Sequence, residues 1–517
     1  MNYADLFRVT LPETALEVAA LVVLVVDLAF LRKAALKLRV TVAALLGVAG
    51  CGAALWNIQT ADVLHSKLWG PGFRFEAEML LGQGSYVRVA QSGILVLTAL
   101  TLLLLIDSDF TKHVGEFVAV VLMAASGGLL VAAAQDLLVI FVGLELLSLS
   151  LYIMTAFAKS SGKSAEAAMK YYLFGGMSAA FLLFGFSYFY GLSGSTNLFW
   201  IQFVIAKTGS SPLFYLAWIL VVVGLGFKVA AVPFHLWAPD TYEGAPAPAA
   251  AFIASVSKVA SFALLITLTE IWFSPGDKMT AEAFRIWQPL TMVLLVVSAA
   301  SMVVGNLAAL AQVSVRRLLA YSAIAHAGYI LLGVSVYQMY AGNETDISYE
   351  LHQMVVSANA VLYYVLTYGL TIIGAFGVVS VVERATGSDR IDSFLGLHKR
   401  NPLLAAVLLV LFLSLAGIPP LVGFWAKFNL FAAVLGVSAG PVPFALVALA
   451  IAMSAVSLYY YLQVLKRAYV MPAIDETPIK AHPVTMAVLL LIAAAVVVLG
   501  CFPALLLRWI ESFYPVM

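Results

Sequence analysis

The sequence predicts an all-α, polytopic membrane protein with about fourteen transmembrane helices. Of its 517 residues, 63% are hydrophobic and only 11% are charged, and the mean hydropathy is +1.00. Soluble domains carry about 25% charged residues, so this composition is that of a membrane protein. Runs of about 20 mostly apolar residues, the length that crosses a bilayer as a helix, recur along the whole chain.

Fourteen apolar runs meet this length criterion, and the loops between them are short. The longest polar insert covers residues 58–89, so we predict a single transmembrane domain over 1–517. The fourth and fifth spans are separated only by a tight turn at 134–136. The predicted spans are 12–32, 38–57, 90–107, 114–133, 136–157, 166–193, 212–238, 247–271, 288–311, 315–337, 356–383, 402–435, 443–465 and 483–507.

Several classes of function are not indicated by the sequence. Its two cysteines, Cys51 and Cys501, cannot hold a four-thiolate iron–sulfur cluster. No G-x-G-x-x-G pattern or P-loop is present, and no basic run is available for a nucleic-acid partner. The apolar run 16–31 is followed by RKAALKLR rather than by a small-residue cleavage site, so we interpret it as an uncleaved first span.

Lysine and arginine predict the orientation of the chain. With the N-terminus outside, sixteen of these residues fall on the cytoplasmic side and eight on the other side, in agreement with the positive-inside rule. Both termini are then expected outside. The four remaining cations, Lys170, Lys228, Lys258 and Lys427, lie inside predicted spans, where a charge is costly and is usually functional.

Spans four to eight (114–271) and nine to thirteen (288–466) form two groups of five. Because five is odd, the second group starts from the opposite side, which predicts an inverted repeat. Three spans (1–113) precede the repeats and one (483–517) follows them. The seventh span, with Gly224, Gly226 and Pro233, and the twelfth, with SLAGIPPLVGFWAKF, are predicted to be broken helices.

The charges inside the spans are the candidate site. Glu145 lies in the fifth span without a charged neighbour in its own helix, and we expect it to approach Lys228. Each of Glu145, Lys228 and Lys258 either fixes helix packing or transfers protons, since a desolvated lysine gives up its proton more readily. Lys170, near a helix end, either joins this site or extends to the membrane surface.

Further polar residues leave alternatives open. His235 and His326 either relay protons or make packing hydrogen bonds, because imidazole titrates near neutral pH. Asp27 and Asp136, close to span ends, are expected to be solvated or to cap helices. Asp240 and Glu243 fall in a predicted cytoplasmic turn, DTYEGAP, and are expected to shape that loop.

Four segments resemble the antiporter-like membrane subunits of respiratory complex I: MKYYLFG, FKVAAVPFHLWAPDTYEGAP, SVRRLLAYSAIAHAGY and LAGIPPLVGFWAKF. The DTYEGAP segment and the fourteen spans are most similar to the bacterial N type, and the long C-terminal extension of the L type is not seen. The resemblance implies that Glu145 and Lys228 match the family's glutamate–lysine pair. It likewise implies that Lys258 matches the central lysine, Lys427 the exit-side lysine and Lys170 a further lysine.

The resemblance also implies a proton-pumping role in a bacterial inner membrane. No cofactor is expected in this chain, since NADH, FMN, iron–sulfur clusters and quinone are expected in other subunits. The expected partners are the lipid bilayer, an antiporter-like neighbour and the small K- and J-type subunits, with no nucleic acid. The alternatives are a large subunit of a multisubunit sodium/proton antiporter, a membrane-bound hydrogenase subunit and a purely structural scaffold.

Overall fold

Long apolar helices dominate the structure, a computed structural model that describes residues 7, 9–68, 81, 85–209, 211–273, 281–335, 347–437, 440–473 and 475–512. Much of the predicted polar insert at 58–89, and the C-terminal residue Met517, lie outside the described residues. Within them, twelve helices are long and apolar enough to cross a membrane.

The predicted fold class is confirmed. The first span, α1, and the twelfth, which is broken into two apolar halves, complete the predicted fourteen. The spanning helices are α1 Leu11–Val25, α2 Leu36–Leu68, α3 Ser85–Leu105, α4 Val114–Ala133, α5 Leu137–Thr155, α6 Gly162–Ser193, α7a Pro212–Val229, α8a Ala247–Ala254, α8b Val256–Phe273, α9 Ala281–Leu310, α10 Val315–Ser335, α11 Ile347–Thr386, α12a Pro402–Ala416, α12b Val422–Val437, α13 Pro441–Tyr469 and α14 Pro483–Cys501. A short helix, α7b Trp237–Gly244, lies between the seventh and eighth spans.

Shorter helical segments follow several spans. The sequence did not predict the helix Leu198–Thr208 between α6 and α7a, or the helix Ala504–Glu511 after α14. Both are too short to cross a bilayer. The first lies in a segment that was predicted to be a loop, and the second overlaps the end of the predicted last span. A π-helical turn, Val26–Phe30, extends α1, and the segments Ile391–Phe394 and Leu397–Arg400 connect α11 to α12a.

The two groups of five helices repeat one packing detail. The α4–α5 crossing is so close that a Cβ at Gly127 would lie 2.6 Å from the backbone nitrogen of Leu147. In the α9–α10 crossing, a Cβ at Gly305 would lie 2.6 Å from the backbone nitrogen of Ala325. Gly127 and Gly305 are separated by the same number of residues as Leu147 and Ala325, so the two crossings are equivalent.

Each group also contains one isolated antiparallel bridge after its first helix. Asp136 pairs with Asn197 in the first group, and Ser314 pairs with Arg390 in the second. Five spans lie between these two bridges along the chain, so they lie at opposite membrane faces. This arrangement is that of the inverted repeat predicted from the sequence.

The predicted breaks in the seventh and twelfth spans are present. After α7a, Ala230 takes a left-handed backbone conformation (φ 60°), and after α12a, Gly417 does the same (φ 89°). A proline follows each break, and its missing N–H prevents the helix from simply continuing.

The eighth span, predicted to be one continuous helix, is also interrupted. Ser255 separates α8a from α8b with backbone angles of φ −115° and ψ −76°. Its hydroxyl donates to the carbonyl oxygen of Ala251 at 2.6 Å, a local bond that competes with regular helix pairing. The sequence gives no glycine or proline at this point, so the break could not be read from it.

Two aspartates expected near span ends differ in their roles. Asp136 caps α5 as expected, because its side chain accepts from the backbone nitrogen of Leu138 at 2.8 Å. Asp27 is not solvated, since it is buried and accepts two hydrogen bonds from Arg39 at 2.7 and 2.6 Å. Asp27 also accepts from the backbone nitrogen of Gly115 at 3.2 Å, which ties the end of the first span to α2 and α4.

Candidate functional site

Lys228 lies at the end of α7a, directly before the break in the seventh span. Its side chain is 7% exposed, and its ammonium group donates a hydrogen bond to the hydroxyl of Ser148 on α5. The Ser148 hydroxyl in turn donates a hydrogen bond to the carbonyl oxygen of Leu144. The ammonium is thus held by a neutral partner, which leaves its charge uncompensated by a direct counter-ion.

Glu145 lies three residues before Ser148 on α5, which places the two on one helix face. Glu145 is half-buried, and its carboxylate forms no ion pair with Lys228 within 4.0 Å. The contact residue between α5 and Lys228 is therefore Ser148 rather than Glu145. A charge state shared by Glu145 and Lys228 stays a prediction.

Lys258 lies on α8b, three residues after the break at Ser255. It is 2% exposed, and its ammonium group donates to the backbone carbonyl of Ala323 on α10. The same group lies 5.4 Å from the centroid of the Tyr368 ring on α11. Lys258 therefore contacts the second group of helices although it belongs to the first.

Lys427 lies on α12b, and its side chain packs against the break that separates α12b from α12a. It is 6% exposed, and its ammonium group donates to the carbonyl oxygens of Ala416 at 2.9 Å and Leu415 at 3.2 Å. The hydroxyl of Ser454 on α13 accepts a third hydrogen bond at 2.7 Å. A cation at a helix C-terminus is stabilised by the unpaired carbonyls and the helix dipole.

His326 on α10 lies between Lys258 and Lys427. Its ring centroid is 4.8 Å from that of Tyr368, which faces Lys258, and 5.8 Å from that of Tyr329. The ammonium of Lys427 in turn lies 5.4 Å from the Tyr329 ring. His326 Nδ1 and the Tyr364 hydroxyl are hydrogen-bonded at 2.8 Å. We call Lys228, Lys258, His326 and Lys427 the buried lysine–histidine series.

His235 does not contact this series. It lies in the break between α7a and α7b and is half-buried. Its Nδ1 is buried without a hydrogen-bond partner among the described residues. The structure therefore brings His326, but not His235, into contact with the aromatic residues around the lysines.

Lys170 also lies apart from the series. Its ammonium group forms ion pairs with Glu166 and Asp240, both at 2.7 Å. Asp240 is not in a loop, because the predicted DTYEGAP turn is part of helix α7b. The loop-shaping interpretation of Asp240 and Glu243 is thus wrong: both carboxylates lie in an ion-pair cluster that depends on partners distant in the sequence.

This cluster ties α7b to both groups of helices. Arg317 on α10 donates to Asp240 at 2.6 Å and to Glu243 at 3.0 Å, and Lys163 on α6 pairs with Glu243 at 3.1 Å. Burial by itself would raise the pKa of Asp240 and of Glu243. Hydrogen bonds from these cations outweigh burial and bring both pKa values below their ordinary range.

Arg316, in the first turn of α10, is 5% exposed. Its guanidinium donates to the backbone carbonyls of Glu243 and Ala245, at 2.8 and 2.9 Å, at the end of α7b. It also lies 3.2 Å from the Glu383 carboxylate of α11. The half-helix after the first break is therefore held from both sides by charged groups.

The sequence reasoning missed the hydroxyl groups of the site. Tyr329, Tyr364 and Tyr368 surround His326, while Ser148 and Ser454 accept from lysines. The run YYVLTY in the eleventh span was an available signal, because three tyrosines in mid-span need polar partners. No group of three metal-ligating side chains occurs in the part of the chain that the structure describes.

Comparisons with known proteins identify the family of this chain. The family model described as NADH:quinone oxidoreductase/Mrp antiporter, transmembrane, matches residues 134–455. NADH-quinone oxidoreductase subunit N 2 of Acidobacterium capsulatum is 45% identical over 99% of both chains. Subunit N 1 of Roseiflexus castenholzii is 40% identical over 80% of this chain and 76% of that protein.

Solved structures agree with these relatives. A chain of respiratory complex I from Thermus thermophilus, solved with bound aureothin, is 33% identical with a TM-score of 0.74 over 96% of this chain and 98% of that one. A chain of the Mrp complex from Dietzia has a TM-score of 0.75 over 97% and 96% of the two chains. At 20% identity, that likeness shows the fold alone. This chain therefore belongs to the NADH:quinone oxidoreductase/Mrp antiporter transmembrane family and, within it, to the subunit N group of NADH-quinone oxidoreductases.

Proposed function

We propose that this chain is a proton-translocating membrane subunit of a bacterial NADH–quinone oxidoreductase. NADH oxidation, flavin and iron–sulfur electron transfer and quinone reduction take place in other subunits, and this chain moves protons in response. Its relatives at 45% and 40% identity are named as subunits of that enzyme, which supports the redox-linked role over the antiporter and hydrogenase alternatives. We further propose an antiporter-like neighbour and small K- and J-type subunits as partners in the inner membrane.

The observation that carries this proposal is the burial of three lysines without counter-ions. Lys228, Lys258 and Lys427 are 7%, 2% and 6% exposed, and no carboxylate lies within 4.0 Å of their ammonium groups among the described residues. A lysine at the centre of a bilayer costs about 2.5–3.5 kcal/mol on insertion scales. Three charges kept at this cost point to a function, because a desolvated ammonium group can release its proton and take it up again.

The second half of the series offers a route between two of these lysines. The ammonium group of Lys258 lies over the ring of Tyr368, which packs against His326, and the ammonium group of Lys427 lies over the ring of Tyr329, which also packs against His326. These ring contacts bring His326 close to both lysines, and the proton itself moves through hydrogen bonds that form between the polar groups there. An imidazole accepts a proton on one nitrogen while it donates from the other, so His326 suits the middle of such a route. The hydroxyl of Tyr368 has no partner among the described residues and is available for hydrogen bonds that form during transfer.

Lys427 is proposed as the lysine on the exit side. It lies in the half of the twelfth span after the break, and its ammonium group binds the free carbonyls at that break. A broken helix exposes backbone groups that accept water, which gives protons a route that a continuous helix denies. Arginine would preserve the charge but could not release a proton at accessible pH.

The test is proton uptake into membrane vesicles per NADH oxidised, with assembly of the complex followed on native gels. Lys427→Ala and Lys427→Arg are expected to assemble and to lose pumping, whereas Lys480→Ala, the same change at an exposed lysine, is expected to pump normally. If Lys427→Ala assembles and pumps like the unaltered complex, this lysine is structural and the exit-side role is wrong.

The orientation of the chain is also proposed, from the charge bias of its loops. A reporter fused after Met517 is expected outside the cell membrane, and one inserted within 387–400 is expected inside. Labelling of both reporters by a reagent that does not cross membranes would contradict this orientation, and with it the placement of Lys427 on the exit side.

A further inference from the structure

One buried carboxyl group lies far from the lysine–histidine series. Glu13, in the first turn of α1, is only 4% exposed, although an acidic residue at a helix start is ordinarily solvated. Its helix packs against α2 and α4, and its side chain is directed toward these helices and α3 rather than toward the surface. No role in proton transfer along the series uses this residue.

The polar contacts of Glu13 are few. One carboxyl oxygen, Oε1, lies 3.5 Å from the side-chain nitrogen of Gln91 on α3. The same nitrogen donates to the backbone carbonyl of Leu129 on α4 at 3.3 Å, so it is shared between two acceptors. The other carboxyl oxygen, Oε2, is buried without any hydrogen-bond partner among the described residues.

No described cation compensates a charge on Glu13. Arg39 is paired with Asp27, which lies fourteen residues farther along, or about 21 Å at 1.5 Å per residue. Arg88 and Tyr86 are the other titratable residues of α3. Among the side chains that the structure describes on the helices around α1, the remaining titratable groups are Lys37, Cys51 and Glu116.

The nearest charged neighbour on the same helix is another carboxylate. Glu17 follows Glu13 by one turn, on the same side of α1, and it is exposed. Its Oε1 accepts a hydrogen bond from the hydroxyl of Ser126 on α4 at 3.3 Å. Two carboxylates this close do not both ionise readily, and the buried one is the more costly to charge.

We propose that Glu13 is a proton-binding site in its own right, separate from the lysine–histidine series. Glu13 holds an exchangeable proton at neutral pH, and the proton reaches it by way of Glu17, one turn further along α1. The orphaned Oε2 of Glu13 is the atom that carries the proton. The ligand of this site is the proton itself, since the one side chain recorded in contact with the Glu13 carboxyl group is the amide of Gln91, through its nitrogen, which cannot coordinate a cation.

The position of the site connects it to α5. Ser126, which contacts Glu17, directly precedes Gly127, and Gly127 touches the backbone of α5 at Leu147. Glu145 lies on that same helix, two residues earlier. A change of charge at Glu13 and Glu17 can thus affect α5, the helix of Glu145 and Ser148, through one tight helix crossing. No lysine takes part in this connection.

The test is infrared spectroscopy of the assembled complex at neutral pH, in H2O and in D2O. The difference between the unaltered complex and Glu13→Gln is expected to contain the carbonyl stretch of a protonated carboxylic acid, shifted to lower frequency in D2O. The matched control Glu17→Gln is expected to leave the acid band in place.

The difference spectrum decides the proposal in either direction. Glu13→Gln replaces the carboxyl group by a neutral group of the same shape, so the complex is expected to assemble. If Glu13→Gln removes a carboxylate band instead of an acid band, Glu13 is ionised and the proposal is wrong. An acid band that does not shift in D2O would also overturn it, because the proton would then not exchange.

Discussion

The ammonium group of Lys427 binds the backbone carbonyl of Ala416 at 2.9 Å, although the helix break at 417–421 separates the two residues. The proposed exit-side lysine therefore contacts the backbone at the helix break itself. Release of its proton would weaken the cap on α12a, since a neutral amine is a poorer partner for helix carbonyls than an ammonium group. Protonation and the conformation of the twelfth span are in this way linked.

His326 is expected to be needed for fast proton transfer between Lys258 and Lys427. His326→Phe keeps an aromatic ring in the same space but removes both proton-carrying nitrogens. General acid–base groups contribute about 10²–10⁴-fold, so pumping should slow by at least about tenfold while the complex assembles. The measurement is the rate of proton uptake into vesicles, with His113→Phe, at an exposed histidine, as the matched control. Normal rates in His326→Phe would make this histidine a packing residue.

Glu145 and Lys228 are expected to act together through Ser148. Glu145→Gln and Lys228→Met should each lower the pumping rate, and their combination should lower it by less than the product of the two effects. Ser148→Ala should reduce this non-additivity because it removes the contact between α5 and Lys228. The check is a double-mutant cycle on proton uptake per NADH oxidised, with and without Ser148→Ala. Strictly multiplicative effects would show that the two charges act independently.

The ion-pair cluster on α7b is expected to make the complex sensitive to acid. The pKa values of Asp240 and Glu243 lie below their ordinary range in the folded chain. Their contribution to stability is therefore fully present above the unfolded values near about pH 4 and is lost as the pH falls through the folded values.

The measurement for this cluster is the dissociation temperature of the complex on native gels as the pH is lowered below about pH 5. Asp240→Asn should lower that temperature at neutral pH and flatten its dependence on acid. Asp109→Asn, at an exposed aspartate that forms no ion pair among the described residues, should change neither. An unchanged acid profile in Asp240→Asn would contradict a stabilising role of the cluster.

The glycine at the α9–α10 crossing is expected to be irreplaceable. Gly305→Ala would place a Cβ 2.6 Å from the backbone nitrogen of Ala325, and such overpacking costs about 1–3 kcal/mol. Gly176→Ala on α6 meets nothing within 4 Å, and both substitutions gain about 1 kcal/mol of helix propensity. The amount of assembled complex on native gels should decrease for Gly305→Ala and should stay the same or increase for Gly176→Ala. Equal amounts of complex from the two variants would show that α9 and α10 can move apart at this crossing without loss of assembly.

The sequence was sufficient for the fold because bilayer length and hydropathy act on each span separately. Fourteen spans and the breaks at Pro233 and Pro420 followed from residue types that are read locally. The break at Ser255 did not, because a serine interrupts a helix only when its hydroxyl is bonded to a nearby carbonyl. Whether it does so depends on the surrounding packing.

The site was predictable in its charges and not in its contacts. Lys228, Lys258 and Lys427 stood out because charge inside a span is rare. Their partners are hydroxyls and carbonyls of other spans, such as Ser148 and Ala323, and nothing in the local sequence distinguishes these from many similar groups. The ion pairs of Asp240 were missed for the same reason, since Lys170 and Arg317 are distant in the chain.

The equivalent crossings at Gly127 and Gly305 lie in halves that face the membrane in opposite directions. Two copies of one half-length chain could form a bundle of this kind, provided that the chain can insert into the membrane in either orientation and that the two copies associate. Fusion of two such copies would fix one orientation for each and free them to diverge. His326 and Ser148 are separated by the same number of residues as Gly305 and Gly127, so they occupy corresponding positions. The two halves thus share one frame and carry different polar groups on it, a titratable imidazole in one and a neutral hydroxyl in the other.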